Sequence, residues 1–158
     1  MDKTITPFLW FDGQAEEAVN FYVSLFDEAQ VFSIVRYESG PMQGKVLTAV
    51  FQLRGQTFMA LDGGPQYQFT EAVSFFVSCD SQKEVDHLWN ALSEGGDESA
   101  QQCGWLKDKY GLSWQIIPDA LPQLMSDPDP ERAQRVMQAM LKMKKIDVAG
   151  LMQAHGGY

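Results

Sequence analysis

The sequence has little of what most reactive centres are built from. There are two cysteines, Cys79 and Cys103, and two histidines, His87 and His155, in 158 residues. Two thiols cannot form a disulfide framework, and no zinc-type spacing, phosphate-binding loop or Ser/His/Asp order appears. Basic residues are also scarce, 12 against 21 acidic ones, for a formal charge of −9. That field repels phosphate backbones, so no nucleic-acid partner is expected. The densest basic stretch, Lys142 to Lys145, is followed by Asp147 and reads as a solvated helix end. No run approaches the roughly 20 apolar residues of a membrane span. Residues 1–13 show no long apolar run behind a basic start, so no secretory leader is expected. The working class is a soluble cytoplasmic protein without a membrane partner.

What is present is a globular composition, 45% hydrophobic and 21% charged, read as a single domain over residues 1–158. Ile5 to Phe11 reads as a buried strand closed by Asp12-Gly13. Ala18, Phe21, Tyr22 and Leu25 then recur at helical spacing, with Glu16 and Glu17 in the first turn, where they complement the helix dipole. Val31 to Tyr37, Val46 to Leu53 and Thr57 to Leu61 read as strands, and Asp62-Gly63-Gly64-Pro65 breaks the pattern. The order then starts again. Val73 to Cys79 is a strand, Ser81 with Glu84 is a capping-box signature, and Val85, Leu88, Trp89 and Leu92 repeat the helical spacing up to Gly95-Gly96. Strands are expected around Trp105 to Leu106 and Ser113 to Ile117. Asp12 and Asp80, at strand-to-helix junctions, read as caps.

The two halves overlay. Glu17, Ala18, Phe21, Tyr22 and Leu25 match Glu84, Val85, Leu88, Trp89 and Leu92 at constant offset. Gly55, Phe58, Met59 and Ala60 match Gly111, Trp114, Gln115 and Ile116. The reading is an internal duplication, with modules over 1–64 and 70–118 and a helical tail over 119–158. In that tail Asp129 caps a helix, Pro130 takes its first position, and Ala133, Val136, Met137, Met140 and Leu141 form a stripe suited to burial against the sheet or a second chain. Asp147 caps a last short helix.

Four segments together, 5–12, 15–22, 103–108 and 110–118, resemble the PhnB-like family, also labelled the 3-demethylubiquinone 3-methyltransferase domain. It falls within the vicinal oxygen chelate (glyoxalase/bleomycin resistance/dioxygenase) superfamily. The resemblance implies an α+β fold of two tandem βαβββ modules, each curling a sheet into half of a cup, commonly completed in a homodimer. It further implies that the superfamily's metal ligands, when present, come from the first and last strands of each module. Strand alternation places Thr6, Met59, Ser74 and Gln115 at those positions. Two hydroxyls, a thioether and a neutral amide make a poor cation site. No metal and no cofactor are therefore expected.

The family label also implies methyl transfer. The doubly wound methyltransferase signature is absent, because Gly63-Gly64-Pro65 leads to aromatic Tyr67 and Phe69 rather than into a helix. Cys103 is the candidate nucleophile, with Lys107 and Lys109 close in sequence, although no base is placed beside it. What remains is a cup lined by Phe8, Trp10, Met59, Phe76 and Gln115, with Thr6 and Ser74 at its polar positions and Trp105 adjoining. Core packing is the reading for Trp114, and for Trp10 and Phe76 both packing and lining stay open. Such a cup suits a small aromatic or amphipathic molecule. Three functional classes stand: a metal-free binding protein, an enzyme whose substrate or cofactor brings the reactive groups (methyltransferase, or metal-dependent glyoxalase- or dioxygenase-type lyase), and a dimeric scaffold using the Met-rich tail.

Overall fold

The computed structural model describes residues 3–157. The chain divides into two compact units, one up to residue 69 and one from residue 70 onward. The first holds strand β1 (Phe8–Phe11), helix α1 (Ala15–Leu25) and strands β2 (Gln30–Arg36), β3 (Val46–Leu53) and β4 (Gln56–Asp62). They form one sheet in the order β1-β4-β3-β2. β1 runs parallel to β4, with Phe8 opposite Met59 and Trp10 opposite Leu61, and the other two pairings are antiparallel. β1 is shorter than the expected Ile5 to Phe11. Pro7 has no N–H for a ladder, although its carbonyl still accepts from Met59 N at 2.9 Å.

Alternation divides this sheet cleanly. Leu9, Phe11, Ala49, Phe51, Phe58 and Ala60 are buried on the side that receives α1. The helix buries Ala15, Ala18, Val19 and Tyr22, whereas Phe21 and Leu25 of the expected stripe stay half-exposed. The cause lies at the helix start. Asp62, buried at the end of β4, accepts from Ala15 N at 2.9 Å and from Val46 N at 3.0 Å. It holds the first turn so that Ala15 faces the sheet. The cap is thus supplied from β4; no side chain caps α1 from its own N-cap position, Gln14, and Asp12 does not take that role.

The second unit repeats the plan with strand β5 (Ser74–Cys79), helix α2 (Gln82–Ser93), strands β6 (Trp105–Lys107) and β7 (Ser113–Pro118), then helices α3 (Ala120–Met125), α4 (Pro130–Met140) and α5 (Val148–Gly156). Its sheet runs β5-β7-β6, with first and last strands again parallel. Gly55 and Gly111, matched in the overlay, both sit at positive φ, +79° and +89°, shortly before the closing strand of their unit. The α+β architecture with paired modules and a helical tail is the observed one.

The second module carries one strand fewer than βαβββ. The link from α1 to β4 spans residues 26 to 55, that from α2 to β7 only 94 to 112. Within the shorter link a single 3-10 turn at Glu98–Ala100, capped by Asp97, stands where the first module places β2. Ser81 caps α2 by accepting from Glu84 N at 3.2 Å, while the Glu84 carboxylate accepts from Asp80 N rather than from Ser81 N. Asp80 is therefore held by the cap and does not supply it. Asp129, with Pro130 behind it, and Asp147 cap α4 and α5 as expected.

Candidate functional site

The sheet of the second unit has a buried side and a lining side. Val77, Cys79, Leu106, Trp114 and Ile116 are buried together with Val85, Leu88, Trp89 and Leu92 of α2. Trp114 packs edge-on against Phe75, centroids 5.4 Å apart, so it belongs to the core. The opposite side carries Phe76, Gln115 and Trp105. Phe76 is the register partner of Gln115 in the parallel pair, and Trp105 is its partner in the antiparallel pair. Register partners project to the same face, so the three form one row across the sheet, two aromatic rings flanking an amide. Along β5 and β7 the row is bounded by Ser74, whose Oγ accepts from Gln115 Nε2 at 3.0 Å, and by Ile117.

A cavity of about 300 Å³ stands over this row. Its floor is Phe76, Trp105, Gln115 and Ile117, and Cys103 forms one edge. Its outer wall comes from the tail: Leu121, Pro122 and Met125 of α3 with Met140 of α4. None of these side chains carries a formal charge. A second concavity of about 370 Å³ shares Cys103 and Trp105 and is bordered by Glu71, Ala100 and Gln102. The two differ in character, one apolar and the other edged by polar groups.

Cys103 and Gly104 turn the chain between these concavities. Both adopt left-handed backbone, φ +53° and +86°, a conformation that costs a non-glycine residue about 1 kcal/mol. The turn is over-determined. Cys103 N and Gly104 N donate to the Met143 and Lys144 carbonyls, each at 2.8 Å, and the Gly104 carbonyl accepts from Ile116 N at 2.8 Å. A side chain at Gly104 would meet Ile117 Cδ1 at 2.6 Å. The cations expected to activate the thiol are otherwise engaged. Lys107 pairs with Glu71, and the Lys109 ammonium lies 5.4 Å from the Tyr110 ring centroid.

The remaining candidates lie in the first unit. Phe8 and Met59 are cross-strand neighbours there, and Phe8 keeps 47% of its surface exposed. Thr6 precedes β1 and is half-buried. Trp10 is fixed by its own unit: Nε1 donates to the Gly64 carbonyl at 2.9 Å, and its ring meets Tyr67 edge-on at 5.1 Å. A Cβ on Gly63 would fall 2.2 Å from the indole. The glycine pair after β4 thus makes room for Trp10. Thr6, Phe8, Trp10 and Met59 stand in one unit, and Ser74, Phe76, Trp105 and Gln115 in the other.

These donors do not fit a metal. Ser74 and Gln115 satisfy each other, Met59 offers a thioether, and among the described residues no three His, Cys, Asp or Glu side chains converge. A hard cation needs oxygens that carry charge or lone pairs free to coordinate. Asp62, one register step from Met59, is spent on Ala15 and Val46. Of the two histidines, His87 is exposed on α2, and His155 Nε2 pairs with Asp127 Oδ2 at 2.7 Å in the tail.

Sequence reasoning reached the floor of the cavity, because alternation identifies one face of a strand. It missed Leu121, Pro122 and Met125. Met140 was visible as part of a helical stripe, but nothing local signals which surface that stripe meets.

Comparison with known proteins bears on the same span. The family model described as 3-demethylubiquinone-9 3-methyltransferase matches residues 3–117. A solved structure from Bacillus cereus, described as a putative 3-demethylubiquinone-9 3-methyltransferase, PhnB protein, is 42% identical. The match covers 73% of this chain and 99% of that one, with a TM-score of 0.67. A protein of Pseudomonas aeruginosa is 23% identical over 73% of this chain and 98% of its own, with a TM-score of 0.60, a likeness of fold. No curated protein matches.

Proposed function

The chain belongs to the PhnB-like, 3-demethylubiquinone-9 3-methyltransferase family of the vicinal oxygen chelate superfamily, and on that premise we propose that it binds a small, uncharged, ring-containing organic molecule in the cavity of its second unit. The observation that carries this reading is the row Phe76–Gln115–Trp105 beneath a cavity whose lining has no charged side chain. Two aromatic faces supply apolar contact, and a single amide fixes orientation, the usual division of labour in a small-molecule site. A charged ligand would lose its hydration there without a counter-charge.

The family name favours a second reading, methyl transfer to such a molecule. The donor would have to bring the reacting centre, since the cavity lining offers Cys103 as its one nucleophile. Turnover with S-adenosylmethionine and a phenolic acceptor, lost on Cys103→Ser, would support that reading over simple binding. As partners we propose a second copy of the chain and no nucleic acid. Exposed Phe32, Val35 and Leu47 on β2 and β3 support the dimer, and the charge of −9 opposes nucleic acid. A cytoplasmic location is compatible with two cysteines that form no disulfide.

The test is a fluorescence titration with N-phenyl-1-naphthylamine, an uncharged two-ring probe. We expect saturable binding at one site per chain, weakened roughly tenfold or more by Trp105→Ala. Absence of saturable binding, or binding indifferent to Trp105→Ala, would reject the cavity as a ligand site.

A further inference from the structure

The family match ends at residue 117, yet the outer wall of the cavity is built from residues beyond it. We propose that α3 and α4 are the ligand-selecting wall of this site, with Met125 and Met140 setting what it admits: a flat, uncharged ring system carrying one hydrogen-bond donor. The inference rests on the binding reading and adds which residues choose the ligand and what they choose.

Three observations support it. First, the tail is seated firmly on its own unit. Leu121, Val136, Ile146 and Leu151 form a buried cluster with Ile117 of β7. Gln82 of α2 clasps the far side, donating to the Ile146 carbonyl at 3.0 Å and accepting from Val148 N at 2.7 Å. Together with the bonds from Cys103 and Gly104, these contacts make the tail a fixed wall. Second, the residues it turns to the cavity are of another kind. Met125 and Met140 are only partly buried and pack against the rim of that cluster. Unbranched thioether side chains re-pack around an aromatic guest and make favourable sulfur–ring contacts. Third, the polar chemistry is narrow. Gln115 Nε2 is committed to Ser74 Oγ, which leaves its carbonyl oxygen as the amide's acceptor, and an acceptor selects an N–H or O–H on the guest.

The experiment uses the full chain and two probes, N-phenyl-1-naphthylamine and its N-methylated analogue, which lacks the N–H. Met140→Trp, which fills the cavity from the tail side, is expected to weaken the first probe at least about tenfold, while Met140→Leu keeps it within about twofold. The methylated analogue is expected to bind wild type roughly fivefold more weakly, the worth of one hydrogen bond, and Gln115→Leu should erase that difference. Met125→Trp is the second filling variant, and urea midpoints verify that each variant is folded. If both filling variants are folded and bind as wild type does, while Trp105→Ala abolishes binding, the tail does not select and the inference falls with the site intact. Equal affinity for the two probes overturns the donor assignment. No saturable binding by wild type rejects the site itself.

Discussion

In the first unit, the sheet face turned away from α1 carries Phe8, half-exposed, and Met59 beside it. In the second, the corresponding face carries Phe76, Gln115 and Trp105 and is met by α3 and α4 across a cavity. The same order of elements therefore leads to two different surfaces, and the difference comes from the path of the chain beyond each closing strand. After β4 the chain turns at Gly63 and Gly64 and packs Tyr67 against Trp10. After β7 it continues directly into helix. A duplicated scaffold can thus carry a binding face in one half only, with the asymmetry encoded outside the repeat.

The modules also differ in how a buried carboxylate staples them. Asp62 joins α1 to β3 across long sequence separations. Asp108 works locally, accepting from Tyr110 N at 2.9 Å, Leu112 N at 3.0 Å and Trp114 Nε1 at 2.9 Å. Asp108→Ala should have the largest effect, because it strands three donors around a buried core tryptophan. We expect a loss of about 3 kcal/mol or more in urea unfolding, with the second unit melting first. Asp62→Asn should cost less, about 2 kcal/mol, since the amide keeps one acceptor and sets its NH2 against one backbone N–H. Its signature is faster amide exchange in α1 with α2 unchanged. If both variants destabilise both helices equally, the two-unit comparison is wrong.

The smallest effect is electrostatic. The Asp127 carboxyl lies below the usual range because it accepts from Asp129 N and pairs with the His155 ring. Glu16 is lowered in the first unit, chiefly by its hydrogen bonds to Arg36. A depressed carboxyl contributes stability that is complete above its unfolded value, near pH 4, and is lost as pH falls through the lower folded value. Amide protection in α5 and in α1 should therefore decline on acidification below about pH 4, and Asp127→Asn should remove the pH dependence from α5 alone.

How much of this was legible in the sequence depends on the range of the interaction. The caps at Ser81, Asp129 and Asp147 were readable because donor and acceptor lie two or three residues apart. β3 was readable to the residue from its β-branched run. The cap of α1 was not, because its acceptor, Asp62, lies 47 residues from Ala15. The missing strand of the second module hid in the shortened span before Gly111, a clue present in the changed offset of the overlay. Of the site, the lining parity of Phe76, Trp105 and Gln115 follows from alternation. The wall does not, because an amphipathic helix announces that it has a buried face without saying against what.

The Cys103–Gly104 turn has a consequence in time. Its two amides find their acceptors in Met143 and Lys144, some forty residues further along the chain. A ribosome delivers the first unit whole before the second begins, so α1 and its sheet can close during synthesis. The second sheet must wait. Until residues 143 and 144 have left the exit tunnel, both amides and the apolar side of Ile117 remain uncovered. A chaperone that holds nascent chains would find its longest-lived target there, beside β7.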